Sequence, residues 1–379
     1  MTEAVPVERV LVVDDDPDIN RLLGVRLSAR GFKVRTAVDG EDALAKIEAE
    51  APDLIFLDVS MPGIDGLQVL DRVRGQGLDL GVVMTTAFGS EQVAIEALRR
   101  GADDYLRKPF ESGEFQAVLK RTVGKLELTR QNVALRAQLD EQRRQLEAEI
   151  ARAAQVQRDL LPRELPSLPG IELAARCVPA RTVGGDFYDW QAGDDGTLNL
   201  TLGDVMGKGM PAALLMATVR AALRAVAGSH GPVGSVSRAQ AALEADLERA
   251  GSYLTLFHGE YDPGSHCLSF VDAGHGHVFV RRAGGDAEPL GPRGLPVGMA
   301  FGLDYEEGIV ALAPGDALVL YSDGLIDAAP DGSIDRPAIA AALDGAPDAA
   351  AMLDRLIGLA GPLEALPDDL TVVVLRRAP

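Results

Sequence analysis

Cysteine is nearly absent. Cys177 and Cys267 are the only two in 379 residues. One disulfide is the most they allow, so no disulfide framework underlies this fold, and a reducing, cytoplasmic setting is the plain expectation. No apolar run approaches the ~18 residues that a membrane span needs. Residues 1–16 are too acidic for a secretory signal. Positive charge is also short. Lys and Arg number 37 against 57 Asp and Glu, a formal charge of −20 with pI near 4.7. Such a chain is a poor general binder of nucleic acid or anionic membrane, and neither is expected as a direct partner. The histidines and cysteines show no spacing suited to zinc. Disorder is not the alternative, because 47% of the residues are hydrophobic. At roughly 150 residues per domain, the length suggests two or three domains.

The chain divides in three. From Arg9 to Thr122 apolar runs alternate with helical patterns. Arg9–Val13 ends in Asp14-Asp15-Asp16, Leu54–Leu57 ends in Asp58, and Val82–Thr85 ends at Thr86. Continuous runs of this kind read as buried parallel strands, and repeated strand–helix units imply a doubly wound α/β sheet. Ligands of such sheets sit at the carboxyl ends of the strands, where these residues fall. Gly113 and Gly124 are candidate breaks. After Gly124 neither Gly nor Pro occurs until Pro162. Within that stretch Leu128, Leu135, Leu139, Leu146, Ile150, Ala153, Val156 and Leu160 form one stripe of a long helix. A helix of this length in water needs a partner, so a modest two-stranded coiled coil or docking on its own domains is expected. Pro162, Pro166 and Pro169 break it. Beyond them short β-rich runs, including Thr197–Leu202, Leu268–Val271, Val278–Val280, Ala317–Tyr321 and Leu370–Leu375, alternate with helices at Met210–Ala227, Arg238–Ala250, Arg336–Leu343 and Ala350–Leu359. This reads as a mixed α+β domain.

Asp14, Asp15 and Asp58 converge on one crevice if the sheet forms. Three such carboxylates repel unless a cation sits among them. Lys108, before Pro109 in a candidate cis peptide, supplies one charge, and Thr86 offers a hydroxyl. The chemistry implied is attack of the Asp58 carboxylate on phosphorus to give an acyl phosphate. The strings Val12-Val13-Asp14-Asp15-Asp16, Leu57-Asp58-Val59-Ser60-Met61-Pro62-Gly63, Thr85-Thr86-Ala87 and Lys108-Pro109-Phe110 resemble the receiver domain of bacterial response regulators. The resemblance implies Asp58 as phosphoacceptor. It makes Asp14, Asp15, Asp58 and the Ser60 carbonyl the Mg2+ ligands, and Lys108 the phosphoryl contact. Thr86 and Tyr105 become the switch pair, and Ala87 leaves room for a phosphodonor. A sensor histidine kinase is the implied partner.

Four Asp-bearing turns mark the last segment: Gly184-Gly185-Asp186-Phe187, Gly203-Asp204-Val205, Ser322-Asp323-Gly324 and Pro367-Asp368-Asp369. Aspartate-only clusters favour magnesium or manganese, and two such ions can clamp a phosphate and its attacking water. The Gly-Gly-Asp-Phe string is not the diguanylate cyclase signature, which needs an acid where Phe187 stands. With Gln155–Pro162, Ala273-Gly274-His275 and Gly294–Gly298, the turns resemble the PPM family of metal-dependent serine/threonine phosphatases, in the branch that acts on anti-anti-sigma factors. The resemblance implies a β-sandwich with outer helices and two Mn2+ or Mg2+ ions. Asp204 would bridge them, with Asp186 and the Val205 carbonyl on one flank and Asp323 and Asp368 on the other. Asp204 and Asp323 are its catalytic pair, and the implied substrate is a phosphorylated STAS-domain anti-anti-sigma factor. One departure is that Gly276 and His277 stand where many relatives carry two prolines. His275 and His277 read as loop supports, Trp190 as a core residue, and both cysteines as inert.

The expectation is therefore a multidomain chain. A receiver domain occupies 1–122, a coiled-coil-like linker helix 123–161 that makes a homodimer, and a PPM-type phosphatase domain 162–379. Phosphorylation of Asp58 would control hydrolysis. The runner-up is a catalytically silent adaptor that grips a sigma factor or its regulator.

Overall fold

The computed structural model describes all residues except 1–5, 88–90, 165, 167, 194–195, 229 and 301–303. The chain forms two compact units, Met1–Arg144 and Gln145–Pro379. Among the described residues no helix is long and apolar enough to cross a membrane.

The first unit holds strands β1 (Arg9–Val13), β2 (Lys33–Ala37), β3 (Leu54–Asp58), β4 (Gly81–Thr86) and β5 (Asp104–Arg107). They form one parallel sheet in the order β2-β1-β3-β4-β5. Helices α1 (Pro17–Ser28), α2 (Gly40–Ala49), α3 (Gly66–Gly75), α4 (Glu91–Arg99) and the start of α5 (Ser112–Leu160) cover it. Two cores result, one on each face. Leu11, Ile55, Leu57 and Val82 pack with α2 and α3, whereas Val10, Val12, Phe56 and Val83 pack with α1 and Phe115, Val118 and Leu119 of α5. This is why the central strands read as unbroken apolar runs.

Helix α5 corrects one expectation. Gly113 and Gly124 do not break it, and the last helix of the sheet unit and the linker are one element. Each glycine costs about 1 kcal/mol of helix propensity. Burial of Phe115, Val118, Leu119 and Leu126 between and around them outweighs that cost. The apolar stripe stays largely uncovered: Leu128, Leu135, Leu139, Leu146 and Val156 are all exposed. The residue that α5 buries near its end is Ala154, beside the stripe.

The second unit is a sandwich of two antiparallel sheets. Its strands are β6 (Ile171–Val178), β7 (Phe187–Ala192), β8 (Leu198–Val205), β9 (Leu254–Asp262), β10 (Cys267–Ala273), β11 (Val278–Arg281), β12 (Ala287–Pro289), β13 (Gly308–Ala311), β14 (Ala317–Tyr321) and β15 (Leu370–Arg377). One sheet has the order β13-β10-β9-β8-β7, the other β12-β11-β14-β15-β6. Leu200, Leu202, Phe257 and Phe270 of the first meet Val280, Leu318, Leu320 and Val373 of the second. Helices α6 (Met210–Val226) and α7 (Gly231–Ala250) cover the outer face of the first sheet. The short α8 (Gly324–Asp327), α9 (Arg336–Ala342) and α10 (Ala349–Leu359) accompany the second. Helix α7 starts seven residues before its expected Arg238, because Pro232 occupies its first turn. Trp190 is a core residue: it stacks on Tyr188 at 5.1 Å and its indole N–H donates to the Glu164 carbonyl at 2.8 Å. Cys177 and Cys267 are free thiols.

Asp53 ties the end of the sheet unit to α5. Its Oδ2 accepts from the amides of Glu8 (3.0 Å) and Arg9 (2.8 Å), and its Oδ1 pairs with Arg130 at 3.0 Å. Burial works against this carboxylate, but the two amides and Arg130 outweigh it and hold its pKa below the ordinary value. The folded-state value is the lower one. The stabilisation is therefore present above the unfolded carboxylate value and disappears as pH falls through the folded one. Asp53→Ala is expected to cost about 1–3 kcal/mol near neutrality. In calorimetry the gap to wild type should close below about pH 4, and a pH-independent gap would refute this account.

Candidate functional site

Two acidic sites form, one in each unit, and both lie at strand ends. In the first, Asp14 and Asp15 follow β1, Asp58 closes β3, Thr86 closes β4 and Lys108 follows β5. Asp14 is fixed by its surroundings. The Asp16 amide donates to its Oδ1 at 3.1 Å, and the Asn20 side-chain amide donates to its carbonyl at 2.7 Å. Asp14, Asp15 and Asp58 each offer an oxygen within 4.8 Å of the others. Lys108 Nζ lies 2.7 Å from Asp14 and 3.0 Å from Asp58, and the Lys108–Pro109 peptide is cis. Burial pushes the Asp58 carboxyl above its usual value. Lys108 pulls it down, and Asp14 and Asp15 push it up. Burial likewise opposes the Lys108 ammonium, but Asp14 and Asp58 overcome it and raise its pKa. Gly66 passes close behind: a Cβ there would stand 2.0 Å from the Asp58 carbonyl oxygen. Thr86 is buried, and Tyr105, on the neighbouring strand, is 36% exposed. Ser60 is exposed in the loop after β3.

The second site gathers residues from both sheets of the sandwich. Asp186 precedes β7, Asp204 lies near the end of β8, Asp323 follows β14 and Asp368 precedes β15. Oxygens of Asp323, Asp327 and Asp368 lie within 4.8 Å of one another. Asp186 and Asp204 are neighbours. Burial pushes Asp186 well up, the charge of Asp204 adds to it, and the Ser322 and Thr371 hydroxyls oppose it. Burial also raises Asp204, followed by the charges of Asp323, Asp368 and Asp369. Asp323 is raised by burial, Asp368 and Asp327. Lys208 Nζ reaches Asp368 at 2.8 Å and the Pro367 carbonyl at 2.8 Å. The Gly184–Gly185 turn runs tightly past this cluster, for a Cβ on Gly185 would stand 2.5 Å from the Val205 carbonyl oxygen.

Both sites fit hard divalent cations. The donors are all oxygen, the carboxylates repel one another, and Asp186 Oδ2 is buried without a hydrogen-bond partner. His275 and His277 are not part of this cluster. The His275 amide donates to Asp272 at 2.7 Å, and the two rings meet edge to face at 5.8 Å.

Residues 10–120 match the family model of the response regulator receiver domain, and residues 194–378 that of stage II sporulation protein E (SpoIIE). The chain joins a response regulator receiver domain to a SpoIIE-type domain. PhoP of Bacillus subtilis, the alkaline phosphatase synthesis transcriptional regulatory protein, is 43% identical over 121 residues, 32% of this chain and 50% of its own. Response regulator MprA of Mycobacterium tuberculosis is 44% identical over 118 residues, 30% of this chain and 51% of its own. The chain spans about half the length of these curated relatives, and only 27% of the nitrogen assimilation regulatory protein NtrX of Azorhizobium caulinodans. Among solved structures, the PP2C domain of SiaA from Pseudomonas aeruginosa is similar with a TM-score of 0.53 at 23% identity, covering 62% of this chain and 98% of that one. At that identity the likeness is one of fold.

Asp204, Asp323 and Asp368 lie inside the span matched to SpoIIE, and Asp186 lies before it. Two acids of the SpoIIE-type domain were missed in the sequence. Asp327 stands four residues after Asp323, a spacing that sets both on one helical face, so its signal was available. Asp369 stands beside Asp368 and accepts from the amides of Ala180 (2.8 Å) and Gly185 (2.7 Å). In the receiver domain the missed neighbour is Thr85, whose hydroxyl approaches Asp58 at 3.4 Å. Among the described residues, Lys108 is the one bridging both buried acids there. Lys108→Met is expected to slow labelling of Asp58 by a small acyl phosphate by about 10²-fold, the scale of losing one charge-stabilising donor. Intact-mass measurement checks this, and an unchanged rate would refute it.

Proposed function

We propose that the chain is a two-component response regulator whose output is metal-dependent hydrolysis of a phosphoserine or phosphothreonine on a STAS-domain anti-anti-sigma factor. The observation that carries this is the cluster of Asp323, Asp327 and Asp368 at the end of one sheet, with Asp323 and Asp368 close enough for their charges to act on Asp204 of the other. Asp204, Asp186 and the Val205 carbonyl would hold one Mn2+ or Mg2+, and Asp204, Asp323 and Asp368 a second. Bound there, the ions would offset the carboxylate charge, polarise a phosphoryl oxygen and lower the pKa of a water. The protein's own part is to hold these oxygens together and to keep Lys208 beside them. Asp204 and Asp323 are the catalytic acids of this reading.

In the receiver domain, Asp14, Asp15, Asp58 and the Ser60 carbonyl would hold Mg2+. Asp58 would take the phosphoryl group from a sensor histidine kinase, Lys108 would face its oxygens, and Thr86 with Tyr105 would respond. A cytoplasmic setting accompanies this chemistry. Helix α5 runs unbroken from Ser112 to Leu160, and it would be the route for control.

The test is release of phosphate from a phosphoserine STAS protein with Mn2+ or Mg2+, before and after acyl-phosphate treatment. Wild type is expected to turn over, and Asp204→Ala to lose at least about 10²-fold in rate. Full hydrolysis in the variant would end the metal-site reading. Equal rates before and after treatment would end control through Asp58. Full regulatory effect of Asp204→Ala in cells would favour the silent adaptor.

The exposed stripe of α5 supports pairing with a second copy. Sedimentation should give twice the 40.0 kDa chain mass. Leu139→Lys with Leu146→Lys should give monomers, and an unchanged mass would refute pairing through this helix.

A further inference from the structure

The end of α5 makes a contact that the acid cluster does not explain. Ala154 packs with Val183 and Ala213 in a small buried group of its own. One turn later Gln157 meets Gly184 twice. Its Nε2 donates to the Gly184 carbonyl at 2.6 Å, and its Oε1 accepts from the Gly184 amide at 3.2 Å. A side-chain amide thus reads both polar groups of one backbone residue. The next residue, Gly185, donates to Asp369 Oδ2 at 2.7 Å, and its carbonyl accepts from the Val205 amide at 3.4 Å. Asp186 follows directly.

We propose that Gln157 is a positioning residue that sets the Gly184–Asp186 turn for divalent-cation binding according to the register of α5. This rests on the phosphatase reading above and names the residue through which control would reach that site. The geometry is register-specific. Moving a helix by one residue shifts the side chain by about 1.5 Å along the axis and 100° around it, and neither bond survives. Among the described residues, the side chains of Gln155 and Arg158, next to Gln157 on α5, bond to each other and Gln155 to Asp159, away from the Gly184–Asp186 turn. Asp369 also holds this turn, through the Gly185 amide, but it lies next to β15 and not on α5, so it does not report the state of the helix. The cradle around Gly184 has no slack, since a Cβ there would stand 2.3 Å from Asp369 Oδ2.

The test uses the full chain and Mn2+ alone. Free Mn2+ is followed by electron paramagnetic resonance during titration, and amide exchange is followed across residues 182–187. Gln157→Ala and the near-isosteric Gln157→Glu, which keeps the acceptor but loses the donor, should each weaken Mn2+ binding at the sandwich site by about 10-fold, the low end for an outer-shell partner. Exchange at Gly184 should rise in both. Receiver Mn2+ binding is common to all variants and cancels in the comparison. Arg158→Ala should match wild type. Should Gln157→Ala fail to fold, Gln157→Glu carries the comparison. Wild-type affinity and protection in the Gln157 variants would overturn the proposal, as would an equal loss in Arg158→Ala. A wild type that hydrolyses nothing would end the phosphatase reading instead, and leaves both of these readouts intact.

Discussion

Repulsion between buried carboxylates is the constraint around which both units are built. In water two acids a few ångströms apart interact weakly, but burial at a strand end raises the cost of ionising each. Asp58 and Asp186 show this in the same direction: burial pushes both up, and a neighbouring aspartate adds to it. Each site carries one lysine that offsets part of the charge. Lys108 spans two acids, while Lys208 reaches only one. Such an arrangement is unfavourable for stability, and a hard cation or a phosphoryl group bound there would offset part of the cost.

The two folds reach this arrangement by different routes. In the receiver domain all the acids come from one parallel sheet, whose strands end on the same side by construction. In the sandwich the acids come from two sheets, and the contact of Leu200 and Leu202 with Leu318 and Leu320 decides how far apart they stand. Close backbone approach does the remaining work, at Gly66 behind Asp58 and at Gly185 beside Val205.

Much of this was legible in the sequence. Apolar runs ending in Asp14, Asp58 and Thr86 located β1, β3 and β4, because burial on both faces leaves a strand no polar alternation. Of the four Asp-bearing turns, those of Asp323 and Asp368 join Asp327 in one cluster, and Asp186 and Asp204 neighbour each other. What periodicity could not show was long-range partnership. Asp369 looks like Asp368 on paper, and only the amides of Ala180 and Gly185, distant in sequence, set it apart. Gln157 reads as one polar residue on a helix until Gly184 is brought to it. The glycines of α5 misled because propensity is local, whereas Phe115 and Leu126 are anchored by distant strands.

The division of the second acid cluster between two sheets bears on how the chain matures. Asp204 and Asp323 are far apart in sequence and meet only after the sheets have closed on each other. An incompletely closed sandwich therefore has scattered acids and no high-affinity ion cage. Ion capture at this site would then be a late event, open only to molecules whose sheets have closed. Under the proposed function, nascent or damaged copies with an open sandwich would lack the assembled acids and so stay silent without any separate inspector.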